Sequence, residues 1–229
     1  LILAAAIIAL RINRAPQPHV EGEKMRSIDG LKLIMQNSLV RSLVILVSVC
    51  ILAVSVINIG EVFLVMNILK ADAFTYGLVS ATFALGSVLG AITTSVIKVP
   101  EKRHASIVVL ALVVLALITS LLGFAWHWAV VAVAWFIAGC FNAALNAYGV
   151  SLIMNRTPEA TRGRVMAAVG ALFSSASVAG MGIAGLLIAA FGIRTVLGFA
   201  GAICFALILV LAPALLKASK QELTPELVD

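Results

Sequence analysis

The chain has 229 residues, of which 62% are hydrophobic and 11% charged, with a mean hydropathy of +1.15. A soluble domain carries roughly 25% charged residues, so this composition excludes a soluble globular protein and points to a membrane. The net charge of +6 would suggest nucleic acid in a soluble chain. Here Lys and Arg stand between apolar runs, where the positive-inside rule accounts for them, and no nucleic-acid partner is expected.

Residues 1–10 are apolar but span only ~15 Å as a helix, about half a hydrocarbon core. They lack a basic leader and read as the end of a truncated transmembrane helix. Residues 11–38 form a polar connector on the cytoplasmic side, with Pro16 and Pro18 as helix breakers. Its last part carries Leu31, Ile34 and Met35 at helical spacing, which predicts a short helix on the membrane surface. Six apolar spans follow within residues 39–216: 39–69, 74–97, 105–124, a fourth ending near 154, 165–191 and 195–216. Each is long enough to cross a bilayer, which takes roughly 20 residues. Residues 217–229 read as a loose cytoplasmic tail. The predicted fold is an all-α polytopic bundle of six transmembrane helices.

Counting Lys and Arg by connector orients the bundle. Alternate connectors hold 6, 3, 3 and 2 against 1, 0 and 1, so the first set belongs in the cytoplasm and both chain ends with it. Trp126 and Trp128 then lie at an outer turn, where an interfacial aromatic belt is expected.

Few residues inside the spans carry chemistry. Glu61 is the acidic residue within a span, with Asn58 one turn earlier and Asn67 further out. An intramembrane carboxylate is costly, so Glu61 reads either as a substrate-binding or proton-carrying group in a cavity, or as an outer-end residue reaching the headgroups. Asn142 and Asn146 share one helix face, with Trp135 and Gly139 on or near it. That stripe either lines a solute pathway or hydrogen-bonds a neighbouring helix. Small residues are dense in the second span, where Gly86 and Gly90 form G-x-x-x-G, and in the fifth, where Gly170, Gly180, Gly182 and Gly185 crowd together. Close helix packing is their main reading. After the fourth span, Thr157-Pro158-Glu159 looks like a helix start, with a hydroxyl cap, proline at the first helical position and acid in the first turn. Arg162 and Arg164 are placed to pair with Glu159 or with acidic groups elsewhere, or to form a solvated basic turn that sets topology.

Other chemistry is excluded or finds no support. There is no G-x-x-x-x-G-K-[ST] phosphate loop, no H-E-x-x-H and no G-x-S-x-G. His19, His104 and His127 are far apart in connectors. Cys50, Cys140 and Cys204 lie in apolar runs without a C-x-x-C, and read as small buried residues rather than disulfides or metal ligands. The chain is therefore not expected to be an enzyme or to need a cofactor or metal. A membrane domain of an ATP-driven pump is disfavoured because the cytoplasmic turns are short. A non-transporting scaffold or receptor on the same bundle stays open.

Several stretches together resemble the major facilitator superfamily of transporters. TPEATRGRVMA before a glycine-rich span is similar to the loop between the family's tenth and eleventh helices. GLKLIMQNSLVRSLVIL resembles the end of the central connector entering helix seven, YGLVSATFALGSVLGAI the eighth helix, and GIAGLLIAAFGIRTVLGFAG the last two. The nearest flavour is the bacterial exporter branch of the enterobactin and macrolide efflux proteins. The resemblance implies the C-terminal half of a twelve-helix protein in the cell membrane, with residues 1–10 ending helix six and an N-terminal six-helix half as its partner. It implies alternating-access movement of a small amphiphilic solute, often driven by protons, with helices seven and ten lining the cavity. Asn58, Glu61, Asn142 and Asn146 fall on those helices, and Glu159, Arg162 and Arg164 on a cytoplasmic gating loop. One stretch departs from the family: GAITTSVIKVPEKRH keeps Gly90 and basic residues but lacks the acidic core of the Gly-Asp-Arg loop motif.

Overall fold

Hydrocarbon offers no partner for backbone N–H and C=O groups, so an apolar chain crosses it as helix. The computed structural model describes residues 27–97 and 99–221, and among them there are helices and turns but no strand. A short helix α1 (Ser27–Gln36) leads to α2 (Ser38–Val54), α3 (Val56–Val62) and a π-helical segment (Phe63–Ile68). Then come α4 (Ala73–Val96), α5 (His104–Leu122), α6 (Trp128–Asn155), α7 (Arg162–Phe191) and α8 (Ile193–Gln221). Six stretches are long and apolar enough to cross a membrane, the first being Ser38–Ile68 and the last Ile193–Ser219. They correspond one for one to the six expected spans. The expected helix end at 1–10, most of the connector and residues 222–229 lie outside the described residues. The last helix runs on to Gln221, five residues past the expected boundary, and Pro213 within it does not end it.

Local chemistry sets several helix starts. The Asn37 Oδ1 accepts the Val40 amide at 2.9 Å and opens α2. The Asp72 Oδ1 accepts the Thr75 amide at 2.9 Å and opens α4, and these bonds to Thr75 hold the exposed Asp72 carboxyl below the usual carboxylate range. At the outer turn, the His127 Nδ1 accepts the Ala129 amide at 3.1 Å and opens α6. Trp126 beside it is 78% exposed. The helix α1 buries Ile34 and Gly30 against the bundle and turns Leu31 and Met35 outward. A side chain at Gly30 would meet the Arg164 carbonyl at the start of α7. The short helix expected here is thus seated on the start of α7.

The first span is not one continuous helix. At Ser55 the hydroxyl donates to the Ile51 carbonyl at 2.6 Å, the i−4 back-bond that bends helices. Six residues after that break stands Glu61, and the π-helical segment begins two residues beyond it.

Packing joins α4 to α6, α5 to both α6 and α8, and α2 to both α7 and α8. Two apolar cores result. One gathers Leu39, Leu43, Leu46, Val108, Leu152, Ile208 and Leu215 near the basic turns. The other gathers Ile57, Leu64, Val65, Val79, Leu122, Val131 and Leu197 toward the Trp126 turn. Outward-facing Leu85, Val178, Leu186 and Val210 are exposed, as lipid-facing or partner-facing positions must be.

Glycine explains the α4–α6 crossing. A Cβ on Gly86 would strike the Phe136 carbonyl, and one on Gly139 would strike the Phe83 carbonyl. The two backbones touch because neither glycine carries a side chain. The second-span glycines thus do what small residues were expected to do. In the fifth span the expectation is only partly met. Gly180 packs on Leu52 and Ser55, but Gly170, Gly182 and Gly185 have no atom within 4 Å of an added Cβ. Periodicity places small residues on a helix but does not say which face meets another backbone.

Overpacking a tight site costs roughly 1–3 kcal/mol. Gly86→Leu and Gly139→Leu are therefore expected to lower the melting temperature of the detergent-purified full-length protein or to abolish its folded yield. Gly198→Ala, where an added Cβ meets nothing within 4 Å, serves as control. An unchanged melting curve for both leucine variants would contradict the crossing described here.

Candidate functional site

A polar group in the middle of a span needs partners or a cavity. Here the two apolar cores are separated by a cavity of about 690 Å³. Its wall draws on Val54 to Glu61, on Ser80 and Phe83 of α4, on Thr119 of α5, on the Trp135–Ile153 stretch of α6, and on Gly170 to Ser177 of α7. Asn58, Glu61, Asn142 and Asn146 all line it. Four residues separated by up to 88 positions in the chain (146 − 58) thus meet around one space.

Glu61 is half-buried in this wall. The Ser80 hydroxyl donates to its Oε1 at 3.4 Å, long beside the usual 2.5–3.0 Å, a range of about half an ångström, for O–H···O. Trp135 lines the same cavity, its indole N–H buried without a hydrogen bond. Trp135 meets Phe83 edge to face, with centroids 5.5 Å apart and planes at 82°. Glu61 therefore lines the cavity beside Ser80 and Phe83.

The asparagines bond to one another along their own helix. Asn146 Nδ2 donates to the Asn142 carbonyl at 2.8 Å and lies 3.1 Å from its Oδ1. Among the described residues no hydrogen bond runs from either side chain to a neighbouring helix. Both asparagines line the cavity. Gly139, read on or near the same face, instead lies at the α4 contact.

Some participants were not singled out by the sequence. Ser55 and Ser177 place their hydroxyl oxygens 3.4 Å apart across α2 and α7. Thr82 ties α4 to α6 by donating to the Ala132 carbonyl at 2.9 Å. Ser80 had been grouped with the small packing residues. The available signal was its spacing of three from Phe83, which puts both on one helix face.

The expected gating loop has a different construction from the one anticipated. The Thr157 hydroxyl donates to the Ile153 carbonyl at 2.7 Å and so finishes α6 rather than capping the next helix. A 3₁₀ turn Glu159–Thr161 follows, without a side-chain cap, and α7 starts at Arg162. Arg162 does not pair with Glu159. Its Nε donates to the carbonyls of Met154 and Thr157, each at 3.2 Å. The carbonyls left open at the end of α6 make a nearer and better-aligned partner for a planar donor than an exposed carboxylate does. Arg164 contributes the carbonyl on which Gly30 of α1 rests. Glu101 pairs with Arg156 at 3.4 Å, linking the turn before α5 to the end of α6. At the opposite end of the bundle, Arg194 donates to the Ala125 carbonyl at 2.9 Å and joins the two outer turns of α5–α6 and α7–α8.

Hydrogen bonds from a charged donor contribute about 1.5–3 kcal/mol when desolvated, and less when partly exposed. Arg162→Ala is expected to cost about 1–2 kcal/mol and to lower the melting temperature of the full-length protein, with Arg162→Lys recovering only part. Glu101→Gln, which removes a half-exposed ion pair, should cost under about 1 kcal/mol. Equal losses for Arg162→Ala and Glu101→Gln would contradict the carbonyl-clamping role of Arg162.

Comparison with known proteins adds one finding. The sequence pattern of the Major Facilitator Superfamily matches residues 1–227. No curated protein and no solved structure matches the chain significantly. Six membrane-crossing helices are what a multi-pass protein of that family requires, and transport rather than enzymatic conversion is what its members do. On a match of this extent, the chain belongs to the Major Facilitator Superfamily and is a membrane transporter protein.

Proposed function

We propose that the chain is the C-terminal half of a secondary active transporter that exports small amphiphilic molecules by alternating access, coupled to protons. The observation that carries this reading is the convergence of Asn58, Glu61, Asn142 and Asn146 on one cavity of about 690 Å³ between the two cores. A cavity of that size suits a drug-sized solute, for which pockets run from about 300 to 1,000 Å³. Its wall combines apolar side chains with a few polar groups, which is what an amphiphile needs. Glu61 is the carboxyl placed to carry a proton, because it faces the cavity and has a single long hydrogen bond.

The second wall of the pathway would come from a six-helix half preceding this one, in keeping with the exposed apolar faces of α4 and α7. The branch is that of the bacterial enterobactin and macrolide exporters, on the resemblance of the loop and span sequences. The Lys and Arg distribution supports a cell-membrane orientation with both ends of this half in the cytoplasm. The turn carrying Glu159, Arg162 and Arg164 then lies on the cytoplasmic face. There the Arg162 clamp on the end of α6 would transmit movement between α6 and α7.

The test is substrate-induced proton flux in proteoliposomes containing the full-length protein. Wild type is expected to move protons against the solute, and Glu61→Gln to abolish that flux while leaving a folded, monodisperse protein. Asn142→Ala with Asn146→Ala is expected to change which solutes are accepted. If no amphiphile elicits flux, a scaffold or receptor on the same bundle is the better description. If Glu61→Gln retains full flux, the coupling group lies elsewhere.

A further inference from the structure

We infer that the cavity selects positively charged amphiphiles, such as organic ammonium or phosphonium ions, held by the Glu61 carboxylate beside the Trp135–Phe83 ring pair. This rests on the reading of the cavity as the solute site, and adds the sign of charge and the chemistry that reads it.

Three observations carry the inference. The first is a charge census. The chain has 16 Lys and Arg and a net charge of +6, yet among the described residues no Lys, Arg or His lines the cavity and Glu61 is its one charged side chain. A chain rich in basic groups has left its wall of this space with a single negative one. An anion entering it would meet repulsion and no counter-charge, whereas a cation supplies the partner that a carboxylate in a membrane requires.

The second observation is that Glu61 is underused. A carboxylate presents about four acceptor positions. Here one long bond from Ser80 is formed. A carboxylate serving only to hold helices together would be surrounded by short donors. The open valence of Glu61 points into the cavity instead.

The third is the aromatic pair. Trp135 and Phe83 are locked edge to face at 5.5 Å and both line the cavity. Aromatic rings attract ammonium and phosphonium groups through their quadrupoles, tryptophan most strongly. Their position is set by backbone contacts, since Gly139 sits on the Phe83 carbonyl and Gly86 on that of Phe136, next to Trp135. The rest of the lining, including Leu115, Ile118 and Phe173, suits an apolar body. Asn142 and Asn146 are neutral and partly engaged with each other, so they add polarity without choosing a sign.

The test uses two probes of the same shape and opposite charge, tetraphenylphosphonium and tetraphenylborate. Equilibrium binding is measured on purified full-length protein in detergent. Wild type is expected to bind the phosphonium at least about tenfold more tightly, a modest demand on one partly buried charge pair. Glu61→Gln should erase that preference, Glu61→Asp should restore part of it, and Trp135→Leu should weaken phosphonium binding more than borate binding. Equal affinities in wild type, a preference for the borate, or a preference that survives Glu61→Gln would each overturn the inference. Glu61→Asp keeps the charge test open if the glutamine variant fails to fold. Asn146→Trp separates the inference from the reading beneath it. Loss of both probes in that variant, with no dependence on Glu61, keeps the cavity as the solute site and rejects only its charge selectivity. Unchanged binding of both probes rejects the cavity itself as the site.

Discussion

A carboxyl group inside an apolar membrane span sets the terms for the rest of this bundle. Water is absent from the hydrocarbon, so Glu61 needs polar company or a space that admits it. The bundle supplies both. Its two apolar cores do not merge into one, and between them run Ser55, Asn58, Ser80, Thr119, Asn142 and Ser177, a polar layer around a cavity.

The backbone around Glu61 is correspondingly irregular. The Ser55 back-bond interrupts the helix before it, and a π-helical segment follows it. Departures from α-geometry of this kind are found at functional sites because they turn side chains that a straight helix would point elsewhere. On the other side of the cavity the geometry is regular and held by contact. Gly86 and Gly139 bring α4 and α6 together at their backbones, which sets Phe83 against Trp135 and places Ser80 opposite Glu61. An irregular helix and a closely packed helix pair thus share one wall of the cavity.

The basic turn between α6 and α7 acts chiefly through backbone carbonyls rather than ion pairs. Arg162 clamps backbone carbonyls at the end of α6, Arg164 carries the seat of α1, and Arg156 meets Glu101 from the preceding loop. The same residues that orient the protein by their charge also tie α1, α5, α6 and α7 into one unit at this surface.

Most of the fold was legible in the amino-acid order alone. Hydropathy is a local property, so six spans could be read from runs of apolar residues. The loop and span patterns carried the family. Helix ends were less legible. Thr157 has the composition of a cap, yet a hydroxyl can donate backward as easily as accept forward, and here it donates to Ile153. The site was visible only as parts. Glu61, Asn58, Asn142 and Asn146 stood out because polar groups are rare in such spans, but nothing local says that two helices so far apart in the chain face one space. Ser80 and Ser177 read only as small packing residues of their spans, and Phe83 as an apolar one, until a neighbour is placed beside them. Likewise Gly86 and Gly182 look alike in sequence, and only one meets a backbone. Span, order and orientation follow from transfer between water and hydrocarbon, which acts residue by residue. Which faces meet, and which polar groups share a cavity, follow from packing between helices, and that was decided only by the tertiary structure.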